Sequence, residues 1–300
     1  MSKLVEMFQQ GFMLNVLAGT MIIAGLCSYL GTFIVLRRAV FVGAALAQVS
    51  SLGVALALFA SGAIEAWWGV HLHIAPQPVA LALTVVTAVL MAIQHKEVRI
   101  PRETVVGVVY ATASGFAILV VALSTHAESE VLNLMFGNVL AIGTSEVALL
   151  AALAAAVAMV HWAFFKEFLF VSFDPDMAIA LGLNGRLWNI VLFLTIGITI
   201  SLAIRAAGAL VVFDFLVLPA ATALLLRRRL RPTMLIAVLA GLASSFTGIC
   251  LSYVADLPTG PTIVAISSIL LAVVAVTPTA TTGRPGERLR PASGQTRARN

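Results

Sequence analysis

Residues 207–226 read AGALVVFDFLVLPAATALLL and run directly into Arg227-Arg228-Arg229. A helix of that length crosses about 30 Å of hydrocarbon. The run carries one charge, Asp214, and is stopped by three arginines, so it reads as a membrane span with its basic end at the bilayer surface. Working outward, comparable apolar runs fall at about 12–36, 39–63, 77–94, 104–125, 145–165, 187–204, 234–254 and 260–277, which makes nine candidate spans. The first is too long for the h-region of a signal peptide and is expected to be a span. Of the 300 residues, 61% are hydrophobic and 10% charged, and the mean hydropathy is +1.05. A globular chain is about 45–50% apolar and about 25% charged. The fold class is therefore all-α and polytopic, with residues 1–277 forming one transmembrane domain and no room for a soluble catalytic domain.

The basic residues sort by side. Arg37, Arg38, Lys96, Arg99, Arg102, Lys166, Arg186 and the cluster Arg227, Arg228, Arg229 and Arg231 fall at one end of the spans, and only Lys3 and Arg205 at the other. The positive-inside rule then predicts an outside N-terminus and a cytoplasmic segment 278–300. That tail holds Arg284, Arg288, Arg290, Arg297 and Arg299 against Glu287, which is most of the net +5. It is expected to be disordered and to lie beside an anionic leaflet. No basic face with interleaved aromatics exists, so the bilayer is the expected partner and nucleic acid is not. Glu65, His71, His73, His126, Glu128, Glu130 and Asp256 fall in the outer loops, either as a cation-attracting mouth or as solvated loop residues. Residues 130–142, EVLNLMFGNVLAI, are too short to cross and are expected to form a re-entrant or interfacial helix. Cys27 and Cys250 lie in apolar runs and read as packing residues.

The longest inner loop runs from Lys166 to Arg186 and contains Asp174-Pro175-Asp176-Met177-Ala178-Ile179-Ala180-Leu181-Gly182. Asp174 can cap a helix, Pro175 suits its first position, Asp176 favours the positive end of its dipole, and Gly182 can close it. A helix of about two turns is predicted. The chain contains no G-x-x-x-x-G-K-[ST], no H-E-x-x-H and no Ser/His/Asp arrangement. It is expected neither to hydrolyse ATP nor to need a cofactor.

The D-x-A-x-x-x-G pattern of Asp176, Ala178 and Gly182 resembles the coupling segment of ABC importer permeases, a short helix that docks on a separate ATPase. Four further stretches are similar to the ABC-3 family of manganese, zinc and iron importer permeases. They are Val35-Leu36-Arg37-Arg38, Phe136-Gly137-Asn138, Leu218-Pro219-Ala220-Ala221-Thr222-Ala223 and Leu257-Pro258-Thr259-Gly260-Pro261-Thr262. The resemblance covers about residues 10–277. It implies a homodimeric permease that passes metal from an extracytoplasmic binding protein to the cytoplasm, driven by a cytoplasmic ATPase subunit. Physical roles fit the prolines: Pro219 frees a backbone carbonyl within its span, and Pro258, Gly260 and Pro261 suggest a stiff outer turn.

The second span departs from the family pattern. Where the family shows G-D-A-L-S-H and then L-P-G, this chain has Gly43-Ala44-Ala45-Leu46-Ala47-Gln48 and Ser51-Leu52-Gly53. Ala44 and Gln48 share a helix face, so the two metal ligands implied there are replaced by a methyl group and a neutral amide. Asp214 is the only acid deep in a span, and a carboxylate at that depth needs a wet cavity or a partner. It is expected to line the pathway with Gln48 in support. The alternative is a structural contact, through a hydroxyl or amide side chain or toward Arg205. His161 reads as a packing histidine, and Ala240, Ser244 and Gly248 as a small-residue packing face. Two other functions compete: an ABC permease for a metal chelate or another small solute, and an ion-coupled secondary transporter.

Overall fold

The computed structural model describes residues 9–68, 74–93, 101–123, 142–173, 175–227 and 229–277. Among them are eleven helices and no strand. These are α1 (Gly11–Leu36), α2 (Val40–Trp68), α3 (Pro76–Ile93), α4 (Arg102–Ala122), α5 (Thr144–Ala163), α6 (Phe165–Phe173), α7 (Pro175–Ala180), α8 (Gly185–Ala207), α9 (Ala209–Leu226), α10 (Leu230–Ala255) and α11 (Thr259–Val276). All but α6 and α7 are long and apolar enough to span a membrane, nine in all among the described residues. Each predicted apolar run has become one helix, because only a helix satisfies its own backbone in hydrocarbon.

α1 is the centre of the bundle, packed on α9, α10, α5 and α8, while α2 packs on α3, α4 and α8. Two-thirds of the spanning windows of α1 and α2 is buried (67%), against 17% for α4 and α5, which therefore form the rim. The core between α1, α2, α8 and α9 is filled by Phe33, Leu46, Ile196, Ile200, Phe215 and Leu216. At Gly31 a Cβ would lie 2.1 Å from the Leu216 carbonyl oxygen, so only glycine lets α1 reach the α9 backbone there. Ala240, Ser244 and Gly248 are all buried on α10. A Cβ on Gly248 would lie 2.8 Å from the Ile263 Cα of α11, which fits the small-residue packing expected there.

Two expectations about local structure change. Lys166 to Arg186 is not an open loop: after a break at Phe164 the chain forms α6 and then α7. The Pro258-Thr259-Gly260-Pro261 stretch is not itself the turn, since α11 begins at Thr259 with Pro258 at its N-cap. The chain reverses at Asp256, whose φ of 54° is left-handed. Pro261 then falls in the first helical turn, where its missing N–H removes nothing the helix would use. The Ser252 hydroxyl ties the corner by bonding the Leu257 carbonyl at 2.6 Å and the Thr259 hydroxyl at 2.8 Å. Pro219 does sit inside α9. All but the last residue of the helix expected at 130–142, the tail at 278–300, and His71, His73, His126 and Asp174 lie outside the described residues.

Candidate coupling site and transport pathway

α7 closes at its C-terminal end as Gly182 predicts. Gly182 has φ 71°. Its N–H bonds the Ile179 carbonyl at 3.0 Å, and the Leu183 N–H reaches back to the Ala178 carbonyl at 2.9 Å, which is a Schellman closure. Ala178 is buried, at 1% exposure, and holds the helix to the bundle; Met177, Ile179 and Leu181 are exposed. Three apolar side chains held outward on a capped helix make a surface that another protein can cover.

α6 roots this helix in the bundle. Phe168 is fully buried. It stacks on the His161 ring at 4.4 Å between centroids and meets Trp188 edge-on at 5.6 Å. His161 also packs against Tyr29 and Phe33 of α1. The Thr195 hydroxyl gives its hydrogen to the Leu192 carbonyl. At the 3.2 Å contact with His161 Nε2 the ring must therefore donate. His161 is a packing histidine, as expected.

One turn on, the Arg37 guanidinium donates from Nη1 to Asn189 Oδ1 at 2.5 Å and from Nη2 to the Ser172 hydroxyl at 2.7 Å. Asn189 donates in turn to the Ala92 carbonyl at 2.6 Å. This knot joins the ends of α1, α3, α6 and α8 beside α7. Sequence reasoning placed Arg37 in a family motif but gave it no partner.

In the membrane interior Asp214 is 2% exposed, and its Oδ2 accepts a 2.7 Å hydrogen bond from Ser267 of α11. Its Oδ1 has no hydrogen-bond partner among the described residues. Arg205 pairs instead with Glu146 at 3.4 Å, which excludes the Asp214–Arg205 contact considered above. Gln48 is half-buried on α2 and makes no hydrogen bond to Asp214. No group of three or more His, Cys, Asp or Glu among the described residues could hold a metal ion. Cys27 and Cys250 are free thiols.

A family model described as the ABC 3 transport family matches residues 9–277. The chain is 28% identical over 264 residues to a manganese transport system membrane protein of Listeria innocua, covering 88% of this chain and 90% of that one. It is 25% identical over 241 residues to a high-affinity zinc uptake system membrane protein of Haemophilus influenzae, covering 80% of this chain and 88% of that one. Among solved structures, PsaBC from Streptococcus pneumoniae in complex with Fab superposes with a TM-score of 0.78 at 20% identity, covering 94% of this chain and 97% of that one.

Proposed function

The chain belongs to the ABC 3 transport family, so it is a multi-pass membrane permease subunit and not itself an enzyme; on that premise we propose that it imports zinc or manganese. In this reading two copies form a homodimer, an extracytoplasmic metal-binding protein delivers the ion, and a separate cytoplasmic ATPase supplies the energy. The metals follow from the relatives named for manganese and zinc.

The observation that carries the reading is α7, a capped helix with Met177, Ile179 and Leu181 held outward beside the Arg37 knot. An ATPase docked there would push on α1, α3 and α8 together. Asp174, Pro175 and Asp176 would start the coupling helix, Ala178 would seat it and Gly182 would end it. The basic asymmetry supports placing this end in the cytoplasm and the N-terminus outside. A homodimer is supported by Ala44, Gln48 and Leu56, which are not buried on α2 and would gain cover from a second copy. Asp214 is supported as a pathway residue by its unpartnered Oδ1, with Gln48 supplying a neutral oxygen from α2. The loss of both second-span ligands favours a second reading, a chelated metal or other small solute.

The test is reconstitution with the ATPase, comparing uptake of free and chelated zinc and manganese. A Cβ at Gly182 would have open space, but φ 71° disfavours any side chain. Gly182→Trp and Asp176→Lys are expected to abolish uptake and ATPase stimulation while leaving the protein inserted. Unchanged uptake in both would overturn the coupling assignment, and uptake of the chelate alone would select the second reading. Cysteine labelling from outside at Arg229 or Arg231 would overturn the orientation.

A further inference from the structure

We propose that a groove running from the basic end of the bundle along α3 and α4 binds one anionic phospholipid, with its phosphate on Arg38 and Arg186 and an acyl chain between the helices. A cavity of about 710 Å³ opens among the ends of α1 and α3, the starts of α2, α4 and α8, and α6. Three arginines line it, Arg37, Arg38 and Arg186, against one carboxylate, Glu103. Arg37 is engaged with Ser172 and Asn189. Arg38 and Arg186 are exposed and have no ion-pair partner among the described residues. Cations unpaired at the surface of a cavity this size fit a phosphate headgroup.

The rest of the wall is apolar, with Phe41, Val42, Ile93, Val106 and Phe193. Met91 lines this cavity and also a second one of about 440 Å³, which continues between α2, α3 and α4 past Leu83, Leu90, Val105, Val109 and Phe116. From Val105 to Phe116 α4 rises roughly 16 Å, about half the thickness of the hydrocarbon core and so one leaflet. The two hydroxyls in that stretch spend their hydrogens within their own helices: Thr87 donates to the Leu83 carbonyl at 2.9 Å and Thr112 to the Val108 carbonyl at 2.7 Å. The groove is thus cationic where a headgroup sits and apolar through one leaflet. A free phosphate or nucleotide would leave the apolar extension empty, and a zwitterionic lipid, whose ammonium cancels its own phosphate, would leave the net positive charge of the cavity uncompensated. Ser172 and Arg186 lie before and after α7, so the bound lipid meets the chain at both ends of the segment that carries that helix.

The experiment is native mass spectrometry of the full-length chain, released from detergent after exchange into defined mixtures of phosphatidylglycerol and phosphatidylethanolamine. It reads binding alone and is independent of any transport assay. Arg38 has φ 57°, a left-handed conformation that glycine adopts freely, so Arg38→Gly removes the charge while suiting the backbone. The double variant Arg38→Gly with Arg186→Gln is expected to lower phosphatidylglycerol retention about tenfold or more. Thr112→Trp, which fills the exposed apolar stretch without changing charge, should lower it as well. Arg205→Gln at the opposite end should not. Equal retention of the two lipids by the native chain would overturn the proposal, as would undiminished phosphatidylglycerol in the double variant. Displacement by inorganic phosphate or ATP together with an inert Thr112→Trp would reassign the arginines to a soluble anion.

Discussion

At Arg37 the guanidinium donates to the Asn189 amide oxygen and the Ser172 hydroxyl, the amide donates on to the α3 backbone, and Phe168 closes the neighbouring space against His161 and Trp188. In the membrane interior, Asp214 receives one hydrogen bond from Ser267 and its second oxygen receives none. Both regions bury polar groups, and each leaves an atom without a partner among the described residues, His161 Nδ1 in the first and Asp214 Oδ1 in the second; yet several mutually supporting contacts tie the first and a single hydrogen bond ties the second. Redundant contacts make a stiff body, because breaking one leaves the rest in place. A group with a free lone pair can take and release something else. Under the proposed function, that difference would separate a part that moves as a unit from a part that the cargo visits.

The largest test of the stiff region is Phe168→Ala. Truncating a fully buried aromatic costs about 3–5 kcal/mol, and the loss should appear in thermal or denaturant unfolding of the detergent-solubilised protein. A loss under about 1 kcal/mol would mean that α6 is not anchored through Phe168. Arg37→Met comes next, at about 2–3 kcal/mol, since it strands the Asn189 and Ser172 acceptors of charge-assisted bonds. In a double-mutant cycle with Ser172→Ala the two changes should be non-additive by about 0.5 kcal/mol or more; strict additivity would dissolve the knot into independent contacts.

Asp214→Asn sharpens the other side of the comparison. The amide oxygen can still accept from Ser267, so stability should change by about 1 kcal/mol or less in either direction. Uptake of radiolabelled zinc or manganese should nevertheless fall to background at matched expression. Restoring Ala44→Asp with Gln48→His should recover uptake in an inactive Asp214→Ala chain. Normal transport by Asp214→Asn would make the carboxylate a structural partner of Ser267 and nothing more.

The stiff region was the less legible of the two. The nine spans are plain in the sequence because hydrocarbon imposes length and hydropathy on every crossing. α7 could be read as well, since Pro175 and Gly182 mark its ends through their backbone chemistry. The knot could not: Arg37 lies 135 residues from Ser172 and 152 from Asn189, and single polar residues at span ends look like ordinary surface. Phe168 carries no mark among its apolar neighbours in FKEFLFVSF. Asp214 stood out as an acid in a span, but Ser267 is one hydroxyl among many, and only the packing of α11 on α9 selects it. Pro261 misled for a local reason, because the first turn of a helix tolerates the same residue that a turn favours.

The smallest effect is expected at the end opposite the knot, where Arg205 and Glu146 pair at 3.4 Å with side chains 57% and 29% exposed. Solvent screens such a pair, and its contribution should not exceed about 1 kcal/mol. Glu146 also accepts the Gly143 N–H at 3.2 Å, a bond that fixes the start of α5 and does not depend on Arg205. Arg205→Gln should therefore leave α5 capped and lower stability by about 0.2–1 kcal/mol. That loss should shrink further when unfolding is followed at about 1 M salt, where the screening length is about 3 Å. Glu146→Gln, which weakens both the pair and the cap, should cost more than Arg205→Gln. If Arg205→Gln instead costs as much as Arg37→Met and resists salt, this end is tied as firmly as the basic end, and stiffness ceases to distinguish the two ends of the bundle.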